Sequence, residues 1–146
     1  MRNNETIRTI MTSNVITVKP KSSLTDAEKV MKRNHIRHIP VAKGKNLLGI
    51  VSLTDLQRLS FVDSFGDDEE MVDTAIYTML TIDQVMIEKP LTVQANQSIR
   101  VAAEILAQKE FHALPVLDGE ELVGIVTTTD LIRYMLGCFE PEEAMA

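Results

Sequence analysis

The sequence predicts an α+β protein made of two tandem β-α-β-β-α repeats, packed sheet to sheet with pseudo-two-fold symmetry. Three observations carry that expectation. Aligning residues 11–59 with 86–134 at a fixed offset of 75 gives sixteen identities in 49 pairs without a gap. The matched pairs include Pro40 with Pro115, Gly44 with Gly119, Gly49 with Gly124 and Asp55 with Asp130, and nine of the other 33 pairs exchange one apolar residue for another. Finally, hydrophobic spacing alternates within each copy between strand-like runs and a helical period of 3.6 residues.

Each element follows from its residues. Val15 to Val18 and Leu91 to Val93 read as short opening strands, rich in β-branched side chains. Ser23 and Ser98 are placed to cap helices, and Ser23 with Asp26 has capping-box spacing. Apolar residues then recur at 24, 27, 30 and 31, and again at 99, 102, 105 and 106, marking one buried helical face. Ile36 to Val41 and Phe111 to Leu117 return as strands, each with a proline that suggests an edge or a strand end. Lys43-Gly44 and Asp118-Gly119 are expected at the centres of two-residue hairpin turns, where glycine accepts positive φ. The hairpins feed Leu47 to Ser52 and Leu122 to Thr127, and the last helices are expected to start near Asp55 and Asp130.

A copy this small leaves one sheet face under-covered, which is why two copies are expected to pack together. The reading divides the chain into repeat 1 (8–60), a connector (61–84) and repeat 2 (85–136). Met1 to Ile10 is expected to extend the first copy. The connector is acidic through Asp67-Asp68-Glu69-Glu70, then apolar from Met71 to Leu80, and Glu140 to Ala146 reads as an acidic tail.

Composition narrows the function classes. A net charge of −6 argues against nonspecific nucleic-acid binding, and no Trp with only two Tyr and four Phe leaves no aromatic platform for single strands. No apolar run approaches the roughly 18 residues of a membrane span, and the start has no apolar stretch of a signal peptide. One cysteine, Cys138, rules out an internal disulfide. The expectation is a cytoplasmic protein without membrane insertion. Charge is unevenly shared: residues 11–59 carry nine Lys/Arg and three Asp/Glu, residues 86–134 four and seven, and 60–85 seven acids and no base. Such asymmetry marks either a preferred side for an anion or an ordinary solvated surface.

Catalytic signatures are missing. There is neither a phosphate-binding Walker loop nor G-x-G-x-x-G, and His35, His38 and His112 lack a metal-ligand spacing. No catalytic residue and no metal site are assigned.

The duplicated unit resembles a known family. Hydrophobic-Pro-Val, a glycine turn and Gly-Ile-Val-(Ser/Thr)-x-x-Asp-Leu, twice in register, are similar to a pair of CBS domains, also called a Bateman module. The resemblance covers about residues 8–136. It implies a stand-alone regulatory module, not an enzyme, that binds AMP, ADP, ATP or sometimes S-adenosylmethionine in clefts between the copies. It also implies a homodimer acting on an unidentified regulated protein through a change of conformation or assembly. The alternative is a non-catalytic structural or interaction dimer with vestigial clefts. An inosine-monophosphate dehydrogenase can carry a similar pair, yet its barrel of about 250 residues is absent.

By that similarity Asp55 and Asp130 would accept hydrogen bonds from the two ribose hydroxyls, as acidic residues do in dinucleotide-binding folds. Ser52, Thr54, Thr127 and Thr129 would offer hydroxyls and helix-start N–H groups to ribose or phosphate. Ser52-x-x-Asp55 and Thr127-x-x-Asp130 are equally capping-box sequences that need no ligand, and one Asp can serve both purposes. Arg37, His38 and His112 match family positions that touch phosphates, while Ala113 does not, which points to unequal sites. Ile16, Val18, Pro40, Leu91, Val93 and Pro115 match positions lining an adenine slot, and each reads equally as core.

Overall fold

The structure is a computed structural model that describes residues 5–61 and 77–139. The acidic run at 67–70, residues 71–76 of the apolar stretch and the tail from 140 onward lie outside the described residues. The chain divides into two compact units, one formed by Ile16–Pro90 and the other by Met1–Val15 with Leu91–Ala146.

In the unit Ile16–Pro90, helix α1 (Leu24–Arg33) begins where Ser23 Oγ accepts the Asp26 N–H at 3.1 Å. Its buried face is Leu24, Ala27 and Met31, the spacing the sequence gives. Strands β1 (His38–Lys43) and β2 (Asn46–Ser52) form an antiparallel hairpin, and α2 (Leu53–Phe61) follows directly. Helix α3 (Ile82–Val85) and strand β3 (Ile87–Glu88) complete a three-stranded sheet of order β1-β2-β3. Ile39, Val41, Val51 and Leu56 join the α1 face in one apolar core.

The other unit repeats the plan. β4 (Val93–Gln94), α4 (Ile99–Gln108), β5 (Ala113–Asp118), β6 (Glu121–Thr127) and α5 (Thr128–Cys138) give a sheet of order β4-β5-β6. Ala102 and Leu106 of α4 pack with Val93, Leu114, Val116 and Val126.

Several expectations need correction. The first opening strand is reduced to one parallel bridge, Val18 with Val41, and the second lies at Val93–Gln94 rather than from Leu91. The hairpin turns sit one residue later, at Gly44-Lys45 and Gly119-Glu120. Lys43 pairs with Asn46 and Asp118 with Glu121. Glycine therefore takes the first turn position, at φ +57° and +65°. The closing helices start at Leu53 and Thr128, two residues ahead of the aspartates.

Pro40 lies in β1, an outer strand of its sheet, whereas Pro115 lies in β5, the middle strand of β4-β5-β6. It is tolerated because β4 is short: its pairing begins at Val93 with Val116. The missing N–H of Pro115 thus falls just outside the β4 ladder and leaves no carbonyl there without its donor.

The largest correction concerns the N-terminal segment, which does not extend the first copy. Ile7 and Arg8 N–H donate to the carbonyls of Gln97 and Ala95, and Thr12 exchanges two backbone bonds with Ile125. Seventy-five residues later, Ile82 and Asp83 N–H donate to the carbonyls of Ser22 and Pro20, and β3 pairs with β2. Each repeat's leading segment thus completes the unit built on the other repeat's sheet. The glycines of the two Gly-Ile-Val strands make room for it. A Cβ on Gly49 would stand 2.6 Å from Met86 Sδ and 2.7 Å from the Ile87 carbonyl, and one on Gly124 2.7 Å from Met11 Sδ and 2.8 Å from the Thr12 carbonyl.

Candidate functional site

The residues singled out by the sequence converge on two equivalent strand-to-helix corners, one per unit. At the first, β2 ends at the half-buried Ser52, whose Oγ accepts the Asp55 N–H at 3.1 Å and so caps α2. The Leu53 N–H donates to the Arg37 carbonyl at 2.8 Å, and His38 pairs with Ser52 across the hairpin. These backbone bonds bring Arg37, His38, Ser52, Thr54 and Asp55 to one corner. The side chains of Arg37, Thr54 and Asp55 are exposed there, and His38 is half-buried. The Asp55 carboxylate lies 3.8 Å from Arg58 Nη1, a long and exposed ion pair worth little by itself.

At the second corner the Thr128 N–H donates to the His112 carbonyl at 3.0 Å, matching the Leu53–Arg37 bond. Here the cap is closed on both sides. The Asp130 N–H donates to Thr127 Oγ1 at 3.2 Å, while Asp130 Oδ2 accepts from the Thr127 N–H at 2.9 Å and from its hydroxyl at 3.0 Å. Thr127 and Asp130 are half-buried, and His112 and Thr129 are exposed. Ala113, in the place of His38, is buried and pairs with Thr127. The capping reading is therefore complete at Asp130 and only half realised at Asp55.

The adenine-slot residues separate by burial. Val18 and Val93 belong to the two apolar cores, and Pro40 and Pro115 are among the most fully buried side chains. These four side chains pack within their own units. Ile16 is half-buried and Leu91 is 48% exposed, which leaves them accessible.

Sequence reasoning passed over the backbone carbonyls of Arg37 and His112 and the side chain of Arg58. Arg58 and Arg133 are one of the sixteen matched identities, and that was the available signal. Among the described residues no group of three or more His, Cys, Asp and Glu side chains is arranged to hold a metal, and no helix is long and apolar enough to cross a membrane.

Comparison with known proteins agrees with this geometry. Protein MJ1225 of Methanocaldococcus jannaschii is 29% identical over 132 residues, which span 90% of this chain and 47% of that protein. Its crystal structure superposes with a TM-score of 0.79 over 92% of this chain and 49% of that one. Inosine-5′-monophosphate dehydrogenase of Korarchaeum cryptofilum is 29% identical over 118 residues, 80% of this chain but 21% of the enzyme. The chain thus spans half or less of the length of these curated relatives. The structure of CBSX2, a CBS-pair protein from Arabidopsis thaliana, was solved in complex with AMP. It is 28% identical, covers 91% of this chain and 97% of that one, and gives a TM-score of 0.76. A profile of the CBS domain matches residues 7–61 and 82–137, the two segments that each open on an exchanged isoleucine, Ile7 and Ile82. With both repeats matched, the chain belongs to the CBS domain family and carries a tandem pair of such domains.

Proposed function

We propose that this protein is a regulatory sensor of adenine nucleotides, which binds AMP, ADP or ATP and passes the signal to a partner protein by a change of conformation or assembly. The observation that carries the reading is the corner at the end of β2. The Asp55 carboxylate, the capped start of α2 and Arg37, held by its carbonyl to the Leu53 N–H and exposed in its side chain, belong to this corner, a set suited to ribose hydroxyls beside a phosphate. The AMP complex of CBSX2, a relative covered almost end to end, supports the choice of ligand class. In the dehydrogenase relative this chain corresponds to about a fifth of the enzyme, which agrees with a regulatory and non-catalytic role.

Titration calorimetry with AMP, ADP, ATP and S-adenosylmethionine tests the proposal. At least one of the four is expected to bind with a dissociation constant below about a millimolar, which corresponds to about −4 kcal/mol. Binding is expected to disappear when Asp55→Ala and Asp130→Ala are combined, a pair that removes both candidate carboxylates. Silence from all four ligands, or full binding by the double variant, overturns the proposal.

A second reading, an interaction homodimer, is favoured by helix α5. None of its residues is fully buried, and Ile132, Met135, Leu136 and Phe139 continue along one face with 41–54% exposure. Sedimentation of wild type against Met135→Lys separates the readings: a dimer lost by the charge while nucleotides remain without effect supports the second.

A further inference from the structure

We infer that the two corners have parted in role, so that the corner at Asp55 holds the ribose and phosphate and the corner at Asp130 is a closed cap that fastens α5. One nucleotide then binds per chain. This inference rests on the nucleotide reading above and names the corner that carries it.

The carboxylates are in different states. Asp130 Oδ2 accepts two hydrogen bonds from Thr127 in a half-buried setting. Turning it toward a sugar would strip the Thr127 N–H and hydroxyl of their acceptor and open the reciprocal half of the α5 cap. Asp55, in contrast, accepts no hydrogen bond among the described residues. Its side chain is 50% exposed and its nearest cation, Arg58, stands at 3.8 Å. Both its oxygens are available to a pair of hydroxyls without cost to the cap, because Ser52 Oγ alone receives the Asp55 N–H.

The cations divide the same way. Beside Asp55 the hairpin brings the exposed Arg37 and the half-buried His38. Beside Asp130 the matching positions hold the exposed His112 and the buried, uncharged Ala113. A carboxylate and the exposed Arg37 guanidinium therefore belong to one corner, whereas the positions matching Arg37 and His38 at the other hold no arginine or lysine. The remaining difference, Ser52 against Thr127, follows the same division, since the Thr127 hydroxyl both accepts from and donates to its aspartate.

The test is calorimetry with AMP and with ATP on wild type, Asp55→Asn, Asp130→Asn and Thr127→Ala, each followed by a thermal melt. Wild type is expected to bind one nucleotide per chain. Asp55→Asn should weaken binding by about tenfold or more, the usual worth of charge-assisted hydrogen bonds, with an unchanged melt. Asp130→Asn and Thr127→Ala should leave affinity within about twofold while lowering the melting temperature. Two equal sites per chain, or equal losses from Asp55→Asn and Asp130→Asn, would overturn the division of roles and leave the sensor reading standing. Absence of binding to wild type by AMP, ADP, ATP and S-adenosylmethionine alike would overturn both.

Discussion

Replacing Gly49 by alanine isolates the physical reason for the Gly-Ile-Val motif. The new Cβ would meet Met86 Sδ at 2.6 Å and Cγ at 2.9 Å, atoms of a flexible side chain that can rotate away. It would also meet the Ile87 carbonyl oxygen at 2.7 Å, and that atom is fixed by the pairing of Ile50 with Ile87 and Gly49 with Glu88. Relief therefore requires β3 to separate from β2. Overpacking of this kind costs about 1–3 kcal/mol. For a chain of this size that is a fall of about 4–8 °C in melting temperature, taking about 2 kcal/mol as the central value. Gly44→Ala is the control: nothing lies within 4 Å of its Cβ, and only its φ of +57° resists the change, at about 1 kcal/mol. Urea denaturation of Gly49→Ala, Gly44→Ala and Gly49→Ala combined with Met86→Ala measures all three. The double variant should recover little, because the carbonyl remains. A Gly49→Ala protein within about 0.5 kcal/mol of wild type, or full rescue by Met86→Ala, would refute the close-approach argument. Gly124→Ala, facing Met11 and the Thr12 carbonyl at nearly the same distances, should behave alike.

Three further outcomes are expected. Thr127→Ala removes the two hydroxyl bonds of the closed capping box, one given to Asp130 and one received from it, and should cost about 1 kcal/mol in urea denaturation, more than Ser52→Ala, which loses a single bond. Burial of Glu28 works to raise its pKa, but hydrogen bonds from Lys32 and the Tyr77 hydroxyl outweigh it and hold the carboxyl below its ordinary 4.5. A carboxyl depressed in the folded state contributes stability above its unfolded value and loses it as pH falls. Wild type should therefore weaken as pH drops from 4.5, and Glu28→Gln should flatten that slope in pH-dependent melts. Hydrogen bonding to Glu5, with burial and Cys138 adding to it, pushes the Tyr134 hydroxyl up to about 12. Glu5→Gln should bring its ultraviolet titration back toward 10, and an unchanged titration would remove Glu5 as the cause.

Most of the architecture was legible because it is written twice. The offset of 75 exposes helices α1, α2, α4 and α5 and both hairpins, and the apolar positions 24, 27, 31 and 99, 102, 106 face inward as their spacing requires. The opening strands were less legible. Val15 to Val18 has strand composition, but only Val18 finds a partner in Val41, since pairing depends on what lies alongside. The exchange of leading segments could not be read from local pattern at all. Met11 and Met86 are identical at the repeat offset, yet nothing in their neighbours says that each covers the other repeat's glycine. At the corners the sequence named the residues and left two roles open for each aspartate. Only coordinates distinguish a carboxylate folded back on Thr127 from one turned out beside Ser52. The burial of Pro40 and Pro115 was illegible for a related reason: a small apolar residue at a strand position looks the same whether it lines a slot or fills a core.

The traded leading segments also bear on how such a chain arises and how it can be cut. A solitary repeat would carry a methionine-bearing segment that the structure lays on the other repeat's sheet, and its own glycine groove would stand open. Such a half is expected to mate with another copy of itself, each lending the strip the other lacks. Fusion of two copies would then have joined partners that already depended on each other. Severing the chain within the connector should yield fragments that regain their stability only when mixed.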